Sequence, residues 1–596
     1  MTEVLEYSSV GLGAHRLFAA LSVWADRFGA QPAVSAADGT LTFTELASRT
    51  EALAAGLSAD GVGPGTRVGL FLGRSRFSLP SLLAVWWVGA TAVLVDERHP
   101  VDRLNLVLRD ADARVLLARS LPPGAAPRRA TLIQPDVAGG SPVDAPAVPN
   151  PDECAYIVYT SGTTGWPKGV EVTYGNLAAF LDALATVGLS PGGMGINAVS
   201  PAFDGWLWCA LLYLLHGQGM AIVDLAGQDS TGELTELIER HAPRTVCLTP
   251  TLLAALDRVP SADVIVVAGE FCPPALLARL AGGPRVLNVY GPSETTIAAT
   301  WADTARGDDP ATIGRPLPGY GGYVLDGDGQ PVPAGTDGEL YVAGPGVARG
   351  YRNRPELTAE RFLPDPFAGP GARMYRTGDL VCARPDGQLE FRGRADDQVK
   401  VRGFRIELAE IERAAAEIDS VRAVAAFTVA SGDNLGLAVT TTAGTDPVAC
   451  VARIREHCAA ALPDFMVPTV IEVVAAIPAL PTGKVDRDEL ARTVRGAATG
   501  RAPRTRREHE VCQVWNQLLA HQVTDVDANF FELGGHSLLA ARAVGMLRRA
   551  TGLPLSVRHL LAHPTAAELA AELDLLAATD ADTAAESNVA AERTDR

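Results

Sequence analysis

Residues 156–169, reading YIVYTSGTTGWPKG, constrain this chain more than any other stretch. The segment begins as a short apolar, β-branched run. It then breaks into a loop carrying the hydroxyls of Thr160, Ser161, Thr163 and Thr164, the glycines Gly162, Gly165 and Gly169, and Lys168. That order predicts a strand that delivers a polar cradle at its end. Such a cradle suits phosphate, because glycine lets the backbone approach an anion and aim N–H groups at it, the hydroxyls add donors, and Lys168 adds charge. The Walker A spacing, with Gly-Lys-Ser/Thr opening a helix, is not met, which excludes a P-loop NTPase reading.

Lysine usage sharpens the point. Of 51 basic residues, lysine stands only at Lys168, Lys400 and Lys484, and the other 48 are arginine. A chain so biased to arginine keeps a compact ammonium where a broad planar guanidinium would not serve as a point charge. Those three positions are where chemistry is expected.

At 596 residues the chain is too long for one core, and a prior of roughly 150 residues per domain gives about four compact units. Its formal charge of -18, with no basic run interleaved with aromatics, argues against nucleic acid as a partner. The N-terminus MTEVLE has neither a basic nor a continuous apolar segment, so no export is expected. Leu79–Val95 is the most apolar stretch, but Pro80, Ser81 and Gly89 interrupt it, and a buried helix and strand fit better than a membrane span. Eight cysteines without a C-x-x-C pair read as core thiols of a cytoplasmic, reducing compartment.

From about residue 15 to 145, helical spacing alternates with short strands: Thr44–Leu57 and Leu79–Val88 as helices, Arg67–Leu72 and Ala92–Val95 as strands. The alternation predicts an α/β layered domain with a largely parallel sheet. Residues 120–152, rich in Pro, Ala and Gly, are expected to be loop. Tyr174–Val187 reads as a helix, and Arg244–Leu248, Val264–Ala268 and Val286–Tyr290 as buried strands. Asp204, set among aromatics, either meets a cation or caps a helix. Glu294 follows the third of those strands with hydroxyls on either side, a place where α/β folds put ligands and where a hard cation can be held. Residues 310–392 predict a β-rich subdomain closing on Asp379, which is a ribose ligand or an ordinary turn carboxylate. A small α+β unit follows to about Leu490, ending in the glycine loop at Lys484. After a polar linker, residues 507–575 read as helical, and Ser537 begins a helix, either as a plain N-cap or as an attachment point for a phosphodiester.

Taken together, these motifs resemble the adenylation domain of a nonribosomal peptide synthetase followed by its peptidyl carrier domain, over roughly residues 15–576. The segments that carry the resemblance are the phosphate loop, Asn288–Thr296, Gly338–Phe362, Tyr375–Leu380, Gly393–Glu412, Gly483–Arg487 and the motif around Ser537. The resemblance implies an adenylation core at 1–394, a mobile small subdomain at 395–492 hinged at Asp396, a linker at 493–506 and a four-helix carrier at 507–576, while the alanine-rich, acidic composition of 577–596 predicts a disordered tail. It implies ATP and Mg2+ as cofactors, and 4'-phosphopantetheine on Ser537.

By the same resemblance an amino-acid carboxylate attacks the α-phosphorus of ATP, and the aminoacyl group then passes to the pantetheine thiol. Lys484 matches the catalytic lysine of the first half, and the loop with Lys400 swings in for the second. Thr160, Ser161, Gly162, Thr163, Thr164 and Lys168 match the loop that holds the β and γ phosphates. Asn288, Tyr290, Gly269, Ser293, Asp379, Phe391 and Arg394 match further nucleotide contacts, and Glu294 the magnesium ligand. Phe391 stands where the family usually has tyrosine, and Ala409 where it usually has glycine.

Asp204 matches the residue that meets the substrate α-amino group, and the rest of the pocket maps to Gly205, Trp208, Cys247, Val266, Ala268, Val289, Ile297 and Ala298. With no charge beyond Asp204 and Lys484 it argues against acidic or basic side chains. Small Gly205, Ala268 and Ala298 beside Trp208 point to phenylalanine, tyrosine or tryptophan, with a large aliphatic substrate as the alternative. An acyl- or aryl-CoA ligase would lack Asp204 and the carrier, and a non-catalytic scaffold would lack Lys484 or an intact phosphate loop. No condensation or hydrolase motif is present, which predicts a free-standing loading didomain. Its expected partners are a phosphopantetheinyl transferase and either a tailoring enzyme such as a hydroxylase or a condensation domain. An MbtH-like activator is a further candidate without a sequence mark of its own.

Overall fold

The computed structural model describes residues 14–577 apart from 126–130, 136–144, 163–164, 225–229, 397, 402, 430–433, 480–484, 496–500, 520–522, 524, 532, 534 and 536. Thr163, Thr164, Lys484 and the 578–596 tail therefore lie outside the described residues, as does the side chain of Ser537.

Two sheets form the large unit. A seven-stranded sheet places Cys154–Thr160 between Lys168–Thr173, antiparallel to it, and Thr91–Leu94, parallel to it. A nine-stranded sheet runs Thr245–Leu248, Val264–Ala268 and Arg285–Tyr290 side by side and parallel. Strands this apolar are buried on both faces, which requires helices as covering layers. Ser78–Trp87 and Asp204–His216 supply them: the first is buried along nearly its whole length and the second from Trp206 to Leu214. Both sheets and these helices share one core, with Trp86, Phe180 and Trp206 among its largest members. Hydroxyl caps begin the flanking helices, with capping boxes at Thr42/Glu45 and Thr173/Asn176.

The expected strands and helices fall within one or two residues of their sequence limits, as in Phe43–Ala59, Arg67–Phe71 and Tyr174–Ala185. Residues 120–152 are not loop throughout. Thr131–Ile133 pairs parallel with Val115–Ala118 and adds an edge strand, because two β-branched residues next to an open sheet edge gain ladder hydrogen bonds that local composition does not reveal.

A five-stranded antiparallel sheet built on Asp337–Ala343 and Arg373–Ala383 follows, and its last strand, Leu389–Arg394, leads out of it into the small unit. Next come the hairpin Gln398–Val401/Phe404–Glu407 and a three-stranded sheet flanked by helices Leu408–Ala416 and Pro447–Ala461. The last unit is helical and has its own core around Val511, Trp515, Phe530, Leu547 and Leu573. Its helices include Arg506–Leu518, Ser537–Thr551 and Val557–Ala562. Seven of the eight cysteines are buried, Cys154 is partly so, and all are free thiols. No helix among the described residues is long and apolar enough to cross a membrane.

Candidate active site

The C-terminal ends of the parallel strands, the small α+β unit and the helical unit surround one continuous cleft of about 1020 Å³. On one wall, Cys154–Thr160 ends where expected and Lys168 returns on the neighbouring strand. Lys168 is buried, and its Nζ stands 3.3 Å from Glu294 Oε1 and over the ring of Tyr351. Burial lowers the lysine's pKa, and Glu294 opposes that shift. Glu294 is wholly enclosed on the short turn after Arg285–Tyr290. Burial alone would raise its pKa, but Arg405 Nη1, 2.9 Å from Oε2, and then Lys168 outweigh burial and hold the carboxyl well below the carboxylate range. The Tyr351 hydroxyl donates to Oε1 at 2.7 Å.

The hairpin of the small unit enters the same wall. Ser161 donates its hydroxyl to the Arg405 carbonyl at 2.8 Å and accepts from the Glu407 N–H at 3.1 Å. The turn at Gly403 presses its backbone onto Gly269, whose φ of 86° lies in the left-handed region, and a Cβ there would meet the Gly403 carbonyl at 3.4 Å. Lys400 is thereby set over the rings of Tyr290 and Phe391, at 5.2 and 5.7 Å. Enclosure lowers its pKa, while Asp379 pulls it up. Tyr290 donates its hydroxyl to Asp379, which also pairs with Arg394, and Arg394 in turn holds Asp396. Asn288 differs from the sequence expectation in one respect: its amide donates to the carbonyls of Pro310 and Thr312, so those donors serve the loop.

Deeper in, Asp204 and Gly205 are the first two residues of Asp204–His216. Of the two sequence readings of Asp204, the cap is not realised, because Phe203 holds the N-cap position and no side chain caps this end; the carboxylate instead faces the cleft from the first turn. Enclosure raises its pKa to about 6, against a lowering hydrogen bond from Ser293, and Oδ2 has no hydrogen-bond partner among the described residues. Beyond it lie Trp208, packed on Phe180 and Trp301, with Cys247 and Val266 on adjacent strands. Cys247 accepts from Tyr213 at 3.0 Å. Ile297 has a φ of 72°, a costly conformation for a β-branched residue, and with Thr296 at 60° it marks a strained turn along the pocket wall.

At the outer end, Phe203, Phe404 and Phe465 form an aromatic cluster between the large and small units, and Asn529, Phe531 and Val557 of the helical unit line the mouth. Arg542 of that unit pairs with Asp257 at 3.0 Å. Sequence reasoning missed Arg405, although it lies inside the motif 393–412, because the search for cations followed lysine. It also missed the buried pair Arg103–Glu410, whose partners are 307 positions apart.

Comparisons with known proteins agree with this layout. Residues 21–352 match the family described as AMP-binding enzyme, and residues 509–573 match the one described as phosphopantetheine attachment site. The chain is 39% identical over 570 residues to novobiocin biosynthesis protein H of Streptomyces niveus, covering 91% of this chain and 93% of that one. It is 38% identical over 563 residues to the dimodular nonribosomal peptide synthase of Bacillus subtilis, of which it spans only 23%. Among solved structures it is similar to holo-PA1221, described as a nonribosomal peptide synthetase protein containing adenylation and carrier domains bound to a vinylsulfonamide inhibitor. That match has a TM-score of 0.76 at 26% identity, over 93% of this chain and 96% of the other.

Proposed function

Because the chain belongs to the AMP-binding enzymes, as an adenylate-forming ligase joined to a phosphopantetheine carrier of the nonribosomal peptide synthetase type, we propose that its monomer is an aromatic α-amino acid. One observation carries the reading: Asp204 Oδ2 is enclosed and unpartnered at the head of a pocket whose floor is apolar around Trp208. An ammonium placed there satisfies the carboxylate, and a flat ring has room beside the indole.

In the first half-reaction the substrate carboxylate forms a bond to the α-phosphorus while the bond to pyrophosphate breaks, so the chain has to position reactants and balance charge. On this reading Ser161 and Lys168 would hold the outer phosphates, and Asp379 and Tyr290 the nucleoside; Ser161, Tyr290 and Asp379 line the cleft and Lys168 is buried beside it. Glu294, enclosed and met by Lys168, Arg405 and the Tyr351 hydroxyl, is a hard oxygen donor that fits Mg2+, whose charge would offset that of the phosphates. Lys484 would bridge carboxylate and phosphate. Its removal is expected to slow adenylation by roughly 10²–10³-fold, like the loss of one oxyanion donor.

The seating of Lys400 over Tyr290 and Phe391, with helical-unit residues at the same mouth, supports reading this arrangement as the thioester-forming orientation, with Asp396 as hinge. Ser537 opens a 15-residue helix of that unit, and the phosphopantetheine it would carry supplies the accepting thiol. The carrier implies a phosphopantetheinyl transferase and a downstream enzyme that takes the loaded group; an MbtH-like activator and a hydroxylase-type tailoring partner belong to this proposal. ATP–pyrophosphate exchange across an amino-acid panel tests the assignment. Strongest exchange with phenylalanine, tyrosine or tryptophan supports it, a large aliphatic winner replaces it, and a winning Glu, Asp or Lys overturns the pocket argument. Mass spectrometry should show Ser537 gaining phosphopantetheine and then an aminoacyl mass.

A further inference from the structure

Arg405 belongs to the small unit, yet its guanidinium completes the charge balance of a carboxylate buried in the large one. Glu294 offers two oxygens: Oε1 receives Lys168 and Tyr351, and Oε2 receives Arg405 at 2.9 Å. The same small unit takes up more of the phosphate loop. Ser161 is tied on both sides to the backbone of Phe404–Glu407, and Arg413 donates to the Gly165 carbonyl at 2.7 Å while its guanidinium lies 4.1 Å from the Trp166 ring centroid. The buried pair Arg103–Glu410 fastens the helix that carries Arg413 to the large unit. In this arrangement Glu294, Ser161 and the Gly165 carbonyl, three of the groups at the proposed magnesium and phosphate site, are bonded to the small unit.

We propose that Arg405 is a positioning residue that replaces magnesium at Glu294, so that seating of the small unit and retention of magnesium pyrophosphate exclude each other. A divalent cation on Oε2 and a guanidinium at 2.9 Å from the same oxygen would repel each other and compete for one set of lone pairs. Without either cation, Glu294 would keep Lys168 and Tyr351 on Oε1 but leave Oε2 buried and unsatisfied. The swing of the small unit and the departure of pyrophosphate are then two sides of one equilibrium. By reciprocity, Arg405 weakens magnesium pyrophosphate binding by the factor by which magnesium pyrophosphate disfavours the seated orientation. The inference rests on the reading of Glu294 as the magnesium ligand.

The test is calorimetric titration of the full chain with inorganic pyrophosphate in excess Mg2+. Arg405→Ala should bind it more tightly than the unmodified chain, by about 5- to 150-fold for a coupling of ordinary size, and Arg405→Lys, which keeps the charge, should stay near the starting affinity. The double variant Arg103→Gln with Glu410→Gln lies outside the magnesium shell and loosens the same seating, so it should also tighten binding. It keeps the proposal testable should Arg405→Ala fold poorly. In single turnover, added magnesium pyrophosphate should slow aminoacyl transfer to the carrier in the unmodified chain. Equal affinities for the unmodified chain and both sets of neutral variants overturn the coupling. Failure of any form to bind magnesium pyrophosphate overturns the magnesium reading on which it stands.

Discussion

Two enclosed carboxylates beside the same cleft are treated in opposite ways. Glu294 is met by Arg405, Lys168 and Tyr351, and these hold it ionised against its burial. Asp204 has an oxygen with no partner among the described residues, and enclosure raises its pKa to about 6. On the proposed roles, the chain supplies its own counter-charge where magnesium would have to leave, and withholds it where a substrate ammonium would bring one. A carboxylate left incomplete is a recognition element, because only a cationic ligand relieves its desolvation.

The contrast predicts opposite stability effects for two similar substitutions. Glu294→Gln leaves Lys168 and Arg405 without their partner and should destabilise the fold by about 3–5 kcal/mol, read as a lower Tm. Asp204→Asn should cost about 2–5 kcal/mol in amino-acid binding, read as a raised KM in pyrophosphate exchange, because the substrate ammonium would be left unpaired. In the ligand-free fold the same change should raise stability at pH 7 by about 3 kcal/mol, the size of a shift from 3.8 to about 6. The sign follows from the raised pKa: the folded state favours the protonated acid, so stability is fully present below pH 3.8 and falls as pH rises through about 6, and asparagine removes that loss. A fall in Tm for Asp204→Asn would merge the two sites into one kind and break the contrast.

The pH dependence of substrate binding runs the other way from that stability term. The amino-acid KM should climb as pH falls below about 6, because the carboxylate that meets the ammonium is lost there. A KM flat from pH 5 to 8 would show that Asp204 does not govern recognition. The smallest effect is expected at Trp208→Leu, which should shift preference from aromatic toward aliphatic monomers by about 1–3 kcal/mol, seen as a changed ratio of kcat/KM values.

Much of this was legible in the chain. The phosphate loop, Glu294 after its strand and Asp204 among aromatics all declared themselves through local residue types, because backbone approach to an anion and burial of charge need special residues wherever they occur. The strand Thr131–Ile133 was not legible, since its reason to form is a neighbouring edge. Arg405 was hidden in a different way: one arginine among 48 carries no mark of which carboxylate it will meet.

By itself the sequence determined the kinds of groups available: three scarce ammoniums, a cradle of hydroxyls, an apolar pocket with one acid, and a serine at a helix start. The tertiary structure alone decided which cation faces which anion. Glu294 and Arg405 stand 111 positions apart, and Arg103 and Glu410 307. Such pairs are set by how separately folded units dock, because charge interactions depend on distance and exclusion of water, and neither is encoded in the neighbours along the chain.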